Sequence, residues 1–335
     1  MNQLGFVIAI ICVLACQVVC ITLFEEKFDS TWDPSVTTSQ WMWVLPTKVN
    51  QRGSQVTITV DPVSRKFDLP YPYGIDTVSQ AAWLPRNIRS FSVGKTQTLR
   101  VTVDSSFTRL GSNKHPFGNL VTNPTDDPRL GSCGFLIQEP VSQTTACSFH
   151  SNNYIWNWHD RFAFPKTTGY DASNDQVLKP SYKGFVSWKN GGRTLPQNNK
   201  VSIEYDRKNQ EFRWYLNGKL TRRSQNPGGY PQSDSRDVSL FSSHPNATSS
   251  TVDIEALTLT FACVVEPDKV DPFNSKSVTG LVNHNQPDSL YELPQQWFSN
   301  NTNSANDFEY LAFGQTLTYK MKSVKVELLE SIKNS

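Results

Sequence analysis

The sequence predicts an all-β fold in which two antiparallel sheets pack together as a sandwich or jelly roll. Three observations lead to this prediction. Short segments rich in β-branched and aromatic residues alternate polar with apolar side chains, which is the pattern of strands with one buried face. Clusters of Gly, Pro and Asn separate these segments, and helical periodicity is scarce. Many short strands joined by such turns are typical of two packed sheets.

Seven segments of the chain carry the strand pattern most clearly. They are 55–60, 98–103, 134–138, 200–205, 212–216, 253–261 and 317–329. The last of them is long and alternating, and its apolar residues need a sheet to lie on. We therefore expect residues 21–335 to form one domain, with a polar excursion near 266–306. Helical turns are expected only within 287–299, where Pro294 interrupts them.

The first twenty residues are the only long apolar stretch of the chain. The stretch is too short for a typical membrane span and is soon followed by polar sequence, so residues 1–20 are predicted to be a secretory signal cut after Cys20. A second interpretation takes VLAC at 13–16 as a lipid-attachment box with Cys16 as the anchor. No later segment is apolar enough to span a bilayer. We therefore expect a secreted, extracellular protein without membrane contact after signal cleavage.

Cysteine use and glycosylation motifs agree with export. Cleavage after Cys20 leaves Cys133, Cys147 and Cys263 in the mature chain. Because Cys133 and Cys147 lie close in sequence, we predict a disulfide between them that closes a hairpin loop, with Cys263 as a buried thiol in an apolar strand. Asn246 and Asn300 each begin an N-glycosylation motif in polar, loop-like sequence.

The stretch EYDRKNQEFRWYLNGKLTRR, at 204–223, places two large aromatic residues side by side on a predicted strand. The Asn-Gly pair at 217–218 predicts a tight hairpin turn. Alternation puts Trp214 on the same face as apolar neighbours and Tyr215 on the other face with Arg213. We therefore expect Trp214 to fill the core, and Arg213 and Tyr215 to be available to a ligand.

This hairpin, VSIEYDRKNQEFRWYLNGKL, resembles the hairpin of concanavalin-like sandwiches, which include laminarinase-type glucanases and laminin-G-like modules. ITLFEEKFDSTWDPSVTTSQWMWV resembles the opening strand of that fold, and STVDIEALTLTF resembles one of its late strands. The resemblance implies a concanavalin-like sandwich over most of the mature chain.

Retaining glucanases of this fold carry a Glu-x-Asp-x-Glu strand whose carboxylates act as nucleophile and acid/base. The nearest match here is Thr251-Val-Asp253-Ile-Glu255, in which Thr251 stands at the first carboxylate position. The nucleophile is therefore missing from this match, and hydrolysis by that mechanism is not expected. If the protein is an enzyme, we expect an oxygenase-like oxidoreductase rather than a glycoside hydrolase.

The segment NNYIWNWHDRFAF, at 152–164, concentrates aromatic and titratable residues. An imidazole between aromatic walls suits a general base near neutral pH, so we consider His159 as a catalytic base and Trp156 and Trp158 as ligand-binding walls. The alternative interpretation is an aromatic core with a polar rim. No His-x-x-His or Cys-x-x-Cys occurs, so no metal site is expected. With 32 basic and 30 acidic residues and no long basic run, nucleic acid is not an expected partner.

Two functions from different classes follow. The first is a secreted, glycosylated binding protein that holds a glycan or a small aromatic ligand through Trp156, Trp158, Arg213 and Tyr215. The second is a luciferase-type oxidoreductase that oxidises a small aromatic luciferin with molecular oxygen and no other cofactor. In secretion and length the chain is similar to syllid fireworm luciferases, and that resemblance implies His159 as the base inside a Trp156/Trp158 cage. Neither function sets an oligomeric state.

Overall fold

The computed structural model describes most of two large sheets and part of a third. The residues that it describes are 18–28, 41–42, 48–52, 55–60, 80–114, 123–127, 130–140, 142, 144–161, 184–192, 198–227, 238–241, 251–265, 269–270, 278–282, 290–292 and 316–331. No α-helix occurs within these ranges, and a 3₁₀ turn is present at Ser112–Lys114. None of the described segments has a helix with the length and apolar character needed to cross a bilayer.

Nineteen strands are described. In chain order they are β1 (Val18–Lys27), β2 (Trp41–Met42), β3 (Lys48–Arg52), β4 (Gln55–Val60), β5 (Gln80–Ser92), β6 (Gln97–Leu110), β7 (Ser132–Gln138), β8 (Thr144–His150), β9 (Tyr154–Arg161), β10 (Gly184–Gly192), β11 (Asn199–Asp206), β12 (Glu211–Leu216), β13 (Lys219–Gln225), β14 (Val238–Phe241), β15 (Ala256–Val265), β16 (Lys269–Val270), β17 (Val278–Val282), β18 (Leu290–Glu292) and β19 (Thr316–Ser331).

The strands form two eight-stranded antiparallel sheets and one small sheet. Sheet A has the order β13-β12-β11-β6-β19-β4-β3, and β1 also pairs with β19. Sheet B has the order β14-β10-β9-β8-β7-β15-β5-β2, and the small sheet has the order β16-β17-β18. The prediction of an all-β, two-sheet antiparallel sandwich is confirmed. The expected return of the C-terminal strand is confirmed as well, because β19 lies inside sheet A between β6 and both β1 and β4.

The two large sheets face each other across a core rich in aromatic rings. Along β6 the burial alternates through most of the strand, as expected for a strand with one face on a core. Rings from the two sheets meet edge-on or tilted, with centroid distances of 5.8 Å for His150 and Tyr319, and 6.5 Å for Phe261 and Tyr319. Such contacts add to the hydrophobic burial that holds the sheets together.

The predicted disulfide pairing was wrong. Cys133 is bonded to Cys263, which is 130 residues away in sequence. The reason is strand order, since β7 lies between β8 and β15 and its register places Cys133 directly opposite Cys263. Cys147 lies opposite Leu136, three residues along β7 from Cys133, and therefore faces the other side of sheet B. Cys147 and Cys263 are both buried, as expected for Cys263, but only Cys263 joins the disulfide.

Both ends of the predicted domain meet in sheet A. Val18, Val19 and Cys20 belong to the predicted signal, yet they pair with the last three residues of β19. Processing after Cys20 remains a prediction, and it would shorten β1 by these three residues. The expected excursion at 266–306 is described only where it contributes the small sheet. The helical turns expected within 287–299 are not found in the described part of that segment, because β18 is held extended by pairing with β17.

A buried arginine ties the β11–β12 turn to the segment that precedes β15. The Arg207 guanidinium donates to both carboxylate oxygens of Asp253 at 2.7 Å, to Glu255 at 2.9 Å and to the Val93 carbonyl at 2.6 Å. Its hydrogen bonds to Asp253, and then to Glu255, raise the pKa of Arg207 against the opposing effect of burial. Asp253 and Glu255, the two carboxylates of the glucanase-like match, are therefore partners of an arginine.

Replacing Arg207 with alanine is expected to lower the free energy of unfolding by about 2 kcal/mol, because it removes charge-assisted hydrogen bonds made by a nearly buried side chain. Urea unfolding followed by tryptophan fluorescence measures this loss. Lys208→Ala is the matched control, since Lys208 is the exposed next residue of the same turn. Equal losses in the two variants would show that the Arg207 contacts contribute nothing specific.

Candidate functional site

Strand β12 presents different chemistry on its two faces. Phe212 and Trp214 are fully buried between the sheets, and the Trp214 indole Nε1 donates to the Cys147 carbonyl at 2.9 Å. Arg213 and Tyr215 lie on the outer face of sheet A and are partly exposed. The expected core position of Trp214 and the outward position of Tyr215 are both confirmed, because strict alternation along the strand leaves no other arrangement.

The Tyr215 side chain is anchored across the neighbouring strand. Its hydroxyl donates to Glu204 Oε2 at 2.7 Å, and Glu204 lies on β11 two residues beyond Ser202, the register partner of Tyr215. The Arg100 guanidinium, one strand further on β6, lies 5.8 Å from the centre of the ring. The ring therefore leans over β11 toward β6. We refer to Arg100, Glu204, Arg213 and Tyr215 as the Tyr215 platform.

Ion pairs fix the charged members of the platform. Glu204 Oε1 accepts from Arg100 Nε at 2.7 Å, and also from Arg100 Nη2. Arg213 approaches Glu204 Oε2 at 3.6 Å and pairs with Asp206 and Glu211. These contacts hold both guanidinium groups in place beside the ring, so the platform is ordered before any ligand arrives.

Electrostatics keep Tyr215 neutral, and Asp206 and Arg213 charged, near neutral pH. Burial, followed by the hydrogen bond to Glu204, raises the pKa of Tyr215 to about 12. Burial opposes ionisation of Asp206, but hydrogen bonds from Asn209 and the charge of Arg213 hold the pKa of Asp206 below its usual value. Burial also disfavours the charged form of Arg213, yet Glu211 and Asp206 raise its pKa.

His159 lies elsewhere, between the two sheets. It has no exposed surface, its Nδ1 lies 2.8 Å from Ser224 Oγ, and its ring packs edge-on against Phe212 at 5.3 Å. Its Nε2 is buried and has no hydrogen-bond partner among the described residues. Burial lowers the pKa of His159 to about 4, so the imidazole is neutral at physiological pH.

The expected cage of Trp156 and Trp158 around His159 is corrected by the structure. Trp156 and His159 are three residues apart on β9, so their side chains point to opposite faces of sheet B. Trp156 is buried, and its Nε1 donates to Ser151 Oγ at 3.0 Å. The side chain of Trp158 lies outside the described part of the structure, as do Asn246 and Asn300. The arrangement on which the luciferase interpretation relied is therefore not present for Trp156 and His159.

The predicted ligand-binding residues thus divide between two surfaces. Arg213 and Tyr215 come together on the outer face of sheet A, whereas Trp156 lies on sheet B. Sequence reasoning missed Arg100 and Glu204, although alternation in TLRVTV and KVSIEY places both on polar faces of their strands. Arg100 and Glu204 are register partners on strands about a hundred residues apart in sequence. Neither segment alone predicts that pairing.

The described residues hold no group of three or more His, Cys, Asp or Glu side chains positioned to bind a metal ion. The Tyr215 platform presents one aromatic ring, two fixed guanidinium groups and a carboxylate at their base. Both oxygens of that carboxylate already accept hydrogen bonds.

Solved structures that resemble this chain include glycan-acting enzymes. The Crh5 transglycosylase in complex with NAG is 12% identical, with 95% of this chain and 86% of that chain covered and a TM-score of 0.42. The laminarinase catalytic domain from Thermotoga maritima is 8% identical, with coverage of 94% and 99% and a TM-score of 0.38. The kappa-carrageenase from Zobellia galactanivorans is 10% identical, with coverage of 95% and 96% and a TM-score of 0.36. Similarity at this level transfers no activity to this chain.

A search of curated proteins found no match. A protein-family model does match, and it covers residues 25–330. That range runs from β1 to the end of β19 and so includes nearly all the strands of both sheets. The chain therefore belongs to DUF6081, described as a family of unknown function.

Proposed function

We propose that this protein is a secreted β-sandwich that binds a glycan on the Tyr215 platform and does not cleave it. The observation that carries the proposal is the Tyr215 ring, partly exposed and anchored across β11 by its hydrogen bond to Glu204. A sugar ring has an apolar face of C–H bonds and a rim of hydroxyl groups. An anchored aromatic ring beside fixed charged groups offers a partner to each of these parts.

The charged neighbours of Tyr215 suit the hydroxyl rim of a sugar. A guanidinium presents several donors in one plane, and Arg100 and Arg213 are held in position by their carboxylate partners. Because these side chains are already ordered, a ligand spends little conformational entropy on fixing them. The result is a preformed patch that spans three neighbouring strands, β12, β11 and β6.

The carboxylates near Tyr215 are all engaged in ion pairs with arginines, which favours binding of a glycan without cleavage. A glycosidase needs one carboxyl group that stays protonated near neutral pH and a second that is free to attack or to activate water. On the described outer face of sheet A, Glu204, Asp206 and Glu211 are all paired with arginines, and the pKa of Asp206 is lowered. These carboxylates are therefore suited to holding the arginines in place.

Secretion is part of the proposal. The apolar leader at 1–20 and the glycosylation motifs at Asn246 and Asn300 support it. The Cys133–Cys263 disulfide supports it too, because such bonds form and persist mainly in oxidising compartments.

The test is a screen of the mature protein against an array of neutral and acidic glycans, followed by calorimetric titration of the best ligand. Tyr215→Ala is expected to weaken binding at least roughly tenfold, because it removes both the stacking surface and the anchor of Glu204. Tyr215→Phe keeps the ring and is expected to lose less. Lys208→Ala, at the far end of the same hairpin, is the control. Unchanged affinity in a folded Tyr215→Ala protein would show that the Tyr215 platform is not the glycan-binding site.

A further inference from the structure

In and around the Tyr215 platform, the acidic side chains are more deeply buried than the basic ones that pair with them. The carboxylates lie at the base, with side-chain exposures of 3% for Glu204, 10% for Asp206 and 6% for Glu211. Two of the cations that pair with this layer reach solvent, with side-chain exposures of 36% for Arg100 and 59% for Arg223, whereas Arg213 is 18% exposed. The ion pairs therefore neutralise the interior of the layer but leave guanidinium groups toward the solvent.

One exposed lysine extends this cationic surface at the Tyr215 end of the hairpin. Lys200 precedes Ser202, the register partner of Tyr215, by two residues and so shares the outer face of β11. None of the ion pairs between described residues involves Lys200. The acidic residue nearest in register is Asp104, which lies opposite Lys200 on β6 and is partly buried. Lys219, directly after the turn, is opposite Leu216 in register and therefore lies on the core-facing side of the hairpin.

We infer that the glycan bound on the Tyr215 platform is acidic and carries sulfate or carboxylate groups. The inference rests on the proposed function and names its ligand class. Guanidinium and ammonium groups at the solvent edge attract anionic groups, and arginine matches the geometry of sulfate and carboxylate oxygens. The Tyr215 ring then takes the apolar face of one sugar, while Arg100 and Lys200 receive the anionic substituents of that sugar or its neighbours.

The experiment compares polysaccharides that share a backbone and differ in charge. The probes are dextran sulfate against dextran, and polygalacturonate against its fully methyl-esterified form. We expect at least one acidic member to bind roughly tenfold or more tightly than its neutral partner in about 0.05 M salt, and to lose most of that advantage in about 0.5 M salt. Lys200→Glu is expected to weaken acidic binding by a further factor of roughly five.

Lys208→Glu is the matched control, because it reverses one exposed charge at the opposite end of the same hairpin. Equal affinity for acidic and neutral members, with both lost in Tyr215→Ala, would overturn the acidic-ligand inference and leave the proposed function standing. Acidic binding that responds equally to Lys208→Glu and to Lys200→Glu, and not at all to Tyr215→Ala, would be non-specific attraction. That outcome would overturn the inference and would also remove this support for the platform.

Discussion

Replacing Cys133 and Cys263 with alanine is expected to lower the free energy of unfolding by up to about 5 kcal/mol, which is the largest stability effect that the structure predicts. The bond closes a loop between residues 130 positions apart. On the loop-entropy model, a cross-link of this span removes about that much chain entropy from the unfolded state. Both cysteines are buried and lie on adjacent strands of sheet B, so the loss comes in a fully packed part of the sandwich.

Chemical unfolding with and without a reducing agent measures this contribution. Reduction is expected to destabilise the wild-type protein and a Cys147→Ala variant by similar amounts, and to leave Cys133→Ala/Cys263→Ala unaffected. A peptide map under non-reducing conditions gives the connectivity directly. A peptide in which Cys133 is linked to Cys147 would contradict the strand order of sheet B, because the register places those residues on opposite faces.

Acidification is expected to destabilise the protein through His159. The pKa of this imidazole is about 4 in the folded protein and 6.5 in its usual environment, with burial as the cause. The folded state therefore binds fewer protons than the unfolded state, and stability falls as the pH drops from about 6.5 to about 4. Above that window the contribution is fully present. At about 1.4 kcal/mol per pKa unit, the total loss is roughly 3 kcal/mol.

The surroundings of His159 explain the size of this effect. The imidazole contacts the hydroxyl group of Ser224 and the ring of Phe212, and neither stabilises an imidazolium as a carboxylate would. The comparison is between wild type and His159→Gln, each unfolded with urea at several pH values. Between about pH 6.5 and about pH 4, the unfolding free energy of the wild type is expected to fall more steeply with decreasing pH than that of His159→Gln. The difference in slope is expected to correspond to the uptake of close to one proton on unfolding. Parallel curves would show that His159 does not titrate in a buried site.

Local sequence patterns predicted the parts of the fold that depend on neighbouring residues. The alternation in EFRWYL separated Trp214 from Tyr215, and the structure has the same division. The Asn-Gly turn is present too, with positive φ values of 51° at Asn217 and 80° at Gly218. Such features follow from backbone sterics and from the two-residue period of a strand, so a short segment is enough to reveal them.

Strand order and register are properties of the whole chain, and the wrong predictions concern them. The cysteine pairing was inferred from closeness in sequence, whereas sheet B places β15 beside β7. Arg100 and Glu204 are neighbours because β6 and β11 pair in sheet A, and that pairing cannot be predicted from either strand alone. For His159 and Trp156 the local rule was sufficient, since an odd spacing on one strand separates two side chains. The aromatic and titratable residues of β9 are close in sequence but lie on two faces of the strand, so they do not form one site.

The central claim is that a ligand binds the outer face of sheet A at Tyr215. Hydroxyl-radical footprinting with and without the best acidic glycan tests it most directly, because the method reports the solvent access of individual side chains. Oxidation of Tyr215 is expected to fall when the glycan is bound, while Trp156, already buried on sheet B, keeps its low reactivity. Unchanged oxidation of Tyr215 at saturating ligand would contradict the account, and the binding site would then lie on another surface.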